Sequence, residues 1–509
     1  MSSINNYFYL KDVAAKYQRY RQTLPMNEKA IFAISSIGFV DAAECNPYYL
    51  AKNAMQRDDF TIYISSDSIE RDRALLPANN NVFWVNPDNM LYLVALATSK
   101  YIITNAKLPF YFIKRKEQIV LNTWHGTPIK KLDKGLNIHN QSAFLHADYI
   151  LCPNEHTKTA LQEACFLDKL YTGKWLITGY PKNSIFTPEN AYRAQRKYAY
   201  MPTWREDSTR LPQIEKYLER LDNYLTDNTT IYVKFHNLSK KPLKSYKHIK
   251  PFPQNVEPYS FLNTMDGLIT DYSSVIFDFA NTGKEIIIFA FDENSYAENP
   301  GLYFPLDKLP FPKYNVLDDL IKHLNKGKQF VPGQFYIRFL DEFCRYDTPV
   351  AAEQVNNFLL DDQPIEPAEN SYITDNAANK ETAYIVQFMP QIESARQLNE
   401  VKANIPPNQP TILVFNRDVT KNTRQLMEDL PKMQELEEKI AVAIITNATV
   451  AEKIKLALNN SYGFFAKTAQ KVCQREKARI FPQLTISKFV NHSTEPLFVA
   501  MAKFFESQE

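Results

Sequence analysis

The strongest constraint on this chain is a series of short, continuous apolar runs. They read Ala-Ile-Phe-Ala-Ile at 30–34, Phe-Thr-Ile-Tyr-Ile at 60–64, Asn-Val-Phe-Trp-Val at 81–85, Tyr-Ile-Ile-Thr at 101–104, Ile-Val-Leu at 119–121 and Ala-Asp-Tyr-Ile-Leu-Cys at 147–152. Several are closed by turn residues, as strands buried on both faces tend to be. Helical spacing fills the gaps near 46–56, at 92–98 and at 155–165. Strands alternating with helices fold as a doubly wound parallel sheet. Such sheets take ligands at the carboxyl ends of their strands.

The pattern lapses around 181–195 and then restarts. Strands are predicted from 197, at 230–236, at 267–271 and at 284–290, with a helix at about 211–226 and helical spacing over 272–280. One or two closing helices are expected over 334–360, followed by linker composition at 361–367. The tail repeats a β-α-β pattern at 410–415, 420–437 and 440–445, with no catalytic constellation. A chain of 509 residues exceeds one compact core and fits about three domains. The expected division is a Rossmann-like domain at 1–180, a second at 181–362, and an α/β accessory module at 370–509.

Lys and Arg number 59 against 57 Asp and Glu, so bulk charge proposes no nucleic-acid partner. Five scattered cysteines form no CxxC pair and no zinc spacing, which fits a reducing compartment. The first residues lack a secretory signal, and no window approaches the roughly 20 apolar residues of a membrane span. The expected place is the cytosol or a membrane surface. A helix predicted at 8–22 carries Lys11, Lys16, Arg19 and Arg21, and either docks on the fold or lies on anionic lipid.

Candidate chemistry gathers at strand ends. Asn122-Thr-Trp-His-Gly-Thr-Pro-Ile-Lys-Lys leaves the strand at 119–121 and sets His125 beside a glycine and two cations. A lone histidine there is more often structural than catalytic. Ser273 and Ser274 follow a strand at the start of a helix, a seat for phosphate or a plain cap. Lys234 and His236 end another strand, Trp204 and Arg205 occupy a Pro-Thr-Trp-Arg turn, and Lys182 lies in Gly-Tyr-Pro-Lys-Asn. Stacked domains would bring these to one cleft, with His125 reaching across from the other half. A nucleotide-diphosphate donor held by the second half is the natural reading.

The order of these segments, with Ile-Thr-Asp-Tyr-Ser-Ser-Val-Ile-Phe-Asp-Phe-Ala and Gly-Leu-Tyr-Phe further on, resembles the CDP-glycerol glycerophosphotransferases of teichoic acid synthesis over about residues 30–360. The resemblance implies a GT-B-like fold, with two Rossmann-like domains facing a cleft. It implies His125 as general base toward an acceptor hydroxyl, with His236, Ser273 and Ser274 meeting phosphoryl charge. Trp124, Gly126, Thr127, Pro128, Lys182, Trp204, Arg205, Lys234 and Asp278 would line the donor site. The implied donor is CDP-glycerol and the acceptor a lipid-linked teichoic acid precursor, at the cytoplasmic face of the membrane. No cofactor and no obligatory protein-bound metal are expected. The family often has Arg where Lys182 stands, Lys-Pro at 284–285, His-Pro at 236–237 and Asp-Gly at 347–348, so fine donor or acceptor preference stays open. The alternatives are a CDP-ribitol donor, a GT-B sugar transferase, and a non-catalytic scaffold.

Overall fold

The computed structural model describes residues 3–35, 45–105, 108–132, 141–188, 194–203, 211–234, 244–253, 255–293, 301–327, 329–365, 371–376, 382–388, 410–416, 440–444, 448 and 450–506. Its first lobe is built on β1 (Asn27–Ile34), β2 (Thr61–Ser65), β3 (Val82–Val85), β4 (Ser99–Thr104), β5 (Ile119–Asn122), β6 (Tyr149–Cys152) and β7 (Lys174–Ile177). These strands are parallel and lie in the order 7-6-5-4-1-2-3. Strand order reverses between β1 and β4, so the crevice of this sheet opens at their carboxyl ends.

The second lobe repeats the plan with β8 (Arg196–Met201), β9 (Thr229–Val233), β10 (Ile249–Pro251), β11 (Gly267–Thr270), β12 (Glu285–Phe289) and β13 (Lys313–Tyr314). All are parallel, in the order 10-9-8-11-12-13. Its switch point lies between β8 and β11, whose ends carry Pro202-Thr203 and Asp271-Tyr-Ser-Ser. The α/β class and the two Rossmann-like lobes expected from the apolar runs are therefore found. Every residue of β11 and β12 is buried, which explains the apolar runs Leu268-Ile269 and Ile286-Ile-Ile-Phe289 within them.

The first lobe is not finished by its own half of the sequence. Helix Ala351–Asp361 returns from the second lobe and packs on helix Asn46–Ala54. Asn356 Nδ2 donates to the Leu50 carbonyl at 2.9 Å, and Arg57 pairs with Asp361 at 2.6 Å. Beyond it, β14 (Tyr372–Asp375) joins the first sheet antiparallel on β7, in the region read from sequence as the start of the tail. The tail's own sheet consists of β15 (Ala383–Phe388), β16 (Thr411–Asn416), β17 (Ile440–Ile444) and β18 (Thr485–Asn491), parallel in the order 17-16-15-18. The helix expected at 420–437 lies outside the described residues.

The N-terminal helix spans Ser3–Thr23. It buries Val13, Ala14 and Tyr17 and contacts helix Met90–Thr98, and the Tyr17 hydroxyl donates to the Ile113 carbonyl at 3.0 Å. Its apolar stripe is thus used in docking on the fold. Among the described residues, no helix is long and apolar enough to cross a membrane.

Candidate active site

The site begins where β5 ends. Trp124 turns the chain with a φ of 48°, a left-handed conformation that costs a residue with a Cβ roughly 1–2 kcal/mol. Neighbouring groups hold the turn. Asn122 Oδ1 accepts the Trp124 N–H at 2.9 Å, and Asn46 Nδ2 donates to the Thr123 and Trp124 carbonyls, both at 3.4 Å. The His125 ring then lies on the indole, with centroids 3.9 Å apart and planes 27° apart. From Trp124 to Pro128 only His125 is exposed. Thr127 Oγ1 accepts from Asn154 Nδ2 at 3.0 Å, and His156 Nε2 donates to the Pro128 carbonyl at 2.8 Å. Trp124, Thr127 and Pro128, expected at the donor wall, are buried, and the Trp124 indole lies against the His125 ring.

Lys182 and Asp278, also expected at the donor wall, are each only 3% exposed and pair at 2.8 Å. The lysine Nζ also donates to the His125 carbonyl and to the Tyr259 hydroxyl, each at 3.0 Å. Tyr259 in turn donates to Asp278 at 2.8 Å. Their charges are spent on one another, beneath the loop that carries His125. Lys182 leaves β7 through a 3-10 turn, Pro181–Ile185, and Asp278 sits in helix Val275–Ala280, so the pair joins the two lobes.

Across the cleft the lobes touch at Gly126. A Cβ built there would lie 2.6 Å from Ser274 Oγ and 2.9 Å from Ser274 Cβ. Only glycine admits so close an approach. Ser273 and Ser274 are both half-buried, and Ser273 Oγ accepts the Val275 N–H at 3.4 Å. The helix starts at Val275, later than the spacing implied, because Tyr272–Ser274 form the turn after β11. Asp271 is buried behind that turn. It accepts the N–H groups of Thr203 at 2.8 Å and Tyr272 at 2.7 Å, and also the Thr203 hydroxyl. It thereby fixes the start of the segment that leads to Trp204 and Arg205. Those two residues and His236 lie outside the described residues. Lys234 is half-buried at the end of β9, its N–H donating to the Tyr200 carbonyl at 3.0 Å.

Desolvation between the lobes and then the Lys182 charge hold the His125 pKa below the ordinary imidazole value. His125 is nonetheless exposed, so its desolvation is partial. At neutral pH the ring is uncharged and able to accept a proton. Sequence reasoning missed Asn46, Tyr259 and Asp271, because polar side chains on an unremarkable helix or turn carry no local signal. It also missed the role of Asp347, which accepts from Tyr180 N at 2.7 Å, Asn183 Nδ2 at 2.8 Å and Asn281 Nδ2 at 2.9 Å. Burial pushes its carboxyl up to about 6. Gly179 permits this packing, since its φ is +72° and a Cβ would lie 2.2 Å from the Tyr346 carbonyl oxygen. Among the described residues, no group of three His, Cys, Asp or Glu side chains is placed to hold a metal ion.

The arrangement has relatives. The chain is 27% identical over 374 residues to the teichoic acid poly(glycerol phosphate) polymerase of Bacillus spizizenii, covering 66% of this chain and 93% of that protein. It is 26% identical over 312 residues to the polymerase of the same description from Staphylococcus epidermidis, covering 53% of this chain but only 43% of that one. A structure of the wall teichoic acid polymerase TagF superposes with a TM-score of 0.57 at 22% identity, covering 71% of this chain and 96% of that one. At that identity the likeness speaks for the fold. The model of the family described as CDP-Glycerol:Poly(glycerophosphate) glycerophosphotransferase matches residues 17–361, which takes in β1 to β13 and every residue of the cleft described above. The chain belongs to the CDP-glycerol:poly(glycerophosphate) glycerophosphotransferase family.

Proposed function

We propose that the protein transfers glycerol phosphate from CDP-glycerol to a glycerol-phosphate-ended, lipid-linked acceptor in teichoic acid synthesis, releasing CMP. The observation that carries this reading is the close approach of Gly126, next to the exposed His125, to Ser274 of the opposite lobe, inside a family match over residues 17–361. An acceptor hydroxyl beside His125 gives its proton to the neutral ring, and its oxygen attacks the β-phosphorus of the donor. The bond from that phosphorus to the oxygen bridging it to the α-phosphorus breaks, and CMP leaves with the electron pair. Such transfers rest on positioning and on electrostatic stabilisation of the moving phosphoryl group. The Ser273 and Ser274 hydroxyls are on hand to donate to it. In this reading Lys182 and Asp278 are positioning residues, since they hold the His125 backbone and are shut away from the cleft. A lipid-linked acceptor would place the enzyme at the cytoplasmic membrane surface.

The test is CMP release by the full chain from CDP-glycerol on a synthetic lipid-linked primer, with CDP-ribitol alongside. His125→Ala should lower release at least ~100-fold, in line with loss of a general base, while circular dichroism and the melting midpoint stay unchanged. Turnover within a few-fold of the natural protein would remove the central assignment. Faster turnover with CDP-ribitol would move the donor to the ribitol class.

A further inference from the structure

The carboxyl ends of β1, β4 and β5 hold a set of buried polar atoms that have no partner among the described residues. Ile34 pairs in register with Thr104, and Thr104 with Asn122. The next residue on each strand, Ser35, Asn105 and Thr123, therefore falls in one row across three adjacent strands, whose spacing is about 4.8 Å. Among the described residues, Ser35 Oγ and both Oδ1 and Nδ2 of Asn105, in this row, and Asn122 Nδ2 and Trp124 Nε1, on either side of Thr123, are shut off from solvent and find no hydrogen-bond partner. Asn105 and Asn122 are fully buried, Trp124 is 2% exposed and Ser35 6%. Buried polar groups are nearly always satisfied, and leaving one unmade is costly. The orphans lie at the switch point between β1 and β4, where a sheet of this order takes its ligand. His125 is two residues beyond Thr123 on the same strand end.

The atoms also define the guest. Ser35 and the Asn105 amide both donate and accept, while Asn122 Nδ2 and Trp124 Nε1 donate. None of the four residues is ionised. Phosphate would call for donors backed by a fixed cation. Adjacent hydroxyls, each able to donate and accept, match the set. We propose that these strand ends, through Ser35, Asn105, Asn122 and Trp124, seat the terminal glycerol unit of the acceptor by its hydroxyl groups and present one of them to His125. The assignment rests on the reading of His125 as the base of the transfer. The second lobe's switch point is left to the donor, so acceptor and donor occupy equivalent crevices of the two sheets.

The test is calorimetric binding of a synthetic glycerol-phosphate trimer with free terminal hydroxyls to the full chain, without donor. A trimer with those hydroxyls O-methylated is the control. Ser35→Ala and Asn105→Ala should each weaken binding of the free trimer ~10-fold, the loss expected for a hydrogen-bonding group at about 1.4 kcal/mol per decade. The methylated trimer should bind the natural protein and both variants alike, at the weakened level. Because no described residue is bonded to the Ser35 hydroxyl, Ser35→Ala should melt no lower than the natural protein. The proposal is overturned if the natural protein does not bind the free trimer, or if both variants bind it unchanged. A lower melting midpoint of Ser35→Ala with unchanged affinity would make the row structural and likewise overturn it. Failure of the parent reading shows itself separately, as absence of CMP release from CDP-glycerol.

Discussion

At Trp124 the backbone leaves β5 in a left-handed turn, and the indole becomes the floor on which His125 lies. The identity of the histidine was legible in the sequence, as a His-Gly pair after an apolar run. Its support was not, since a positive φ at tryptophan has no sequence signature and Asn46 lies far away in the chain. A lowered imidazole pKa has a defined sign. In the proposed transfer the neutral ring is the base, so it would stay competent as pH falls until it is protonated. The acid limb of kcat/KM for CMP release should therefore fall below the ordinary imidazole value of 6.5. A limb at or above that value would assign the titration to another group.

At the level of elements, the Lys182–Asp278 pair ties the 3-10 turn Pro181–Ile185 to helix Val275–Ala280. Removing one partner leaves a charge buried and unmatched. Lys182→Met or Asp278→Asn should thus cost about 3–5 kcal/mol in urea unfolding. The double variant Lys182→Met/Asp278→Leu should recover much of that loss, because the desolvation penalty disappears together with the pairing. A double variant as unstable as the sum of the singles would show that the two charges do not act as a pair. Both residues stood out in the sequence, yet their burial did not, since it depends on a segment about 96 residues away. Strands buried on both faces were legible as apolar runs. The short edge strands β10 and β13 and the polar β14 were not, because an edge strand need not be apolar on either face.

Across the whole molecule, the two-lobed plan followed from strand-helix alternation, but the joints between parts did not. The tail meets the first lobe at His146, whose ring Nε2 lies 3.2 Å from the Arg479 carbonyl oxygen, and Arg479 Nη1 donates to the Phe110 carbonyl at 3.0 Å. Gln483 accepts the Thr172 hydroxyl at 2.9 Å nearby. Burial, with lesser contributions from the Lys114 and Arg479 charges, pushes the His146 pKa down to about 3 from an ordinary 6.5. The neutral ring is the form the fold holds. The unfolded chain therefore binds the extra proton between these values, and the stabilisation present above about pH 6.5 is lost as pH falls toward 3. Urea midpoints measured from pH 7 to pH 4 should decline, and His146→Phe should flatten that decline. An unchanged slope in the variant would place the sensitivity elsewhere.

The outer edge of the first sheet has a consequence in time. β7 ends at Ile177, and the strand that covers it, β14, begins only at Tyr372. The helix that packs on Asn46–Ala54 is likewise encoded after the whole second lobe. At about 5–20 residues per second, a ribosome needs roughly 10–40 s to make the roughly 200 intervening residues. For that interval the nascent first lobe carries an open strand edge, and such an edge is a template for wrong pairing. The segment after the second lobe is thus the closing step of the first, and the two lobes mature in the reverse of their order in the gene.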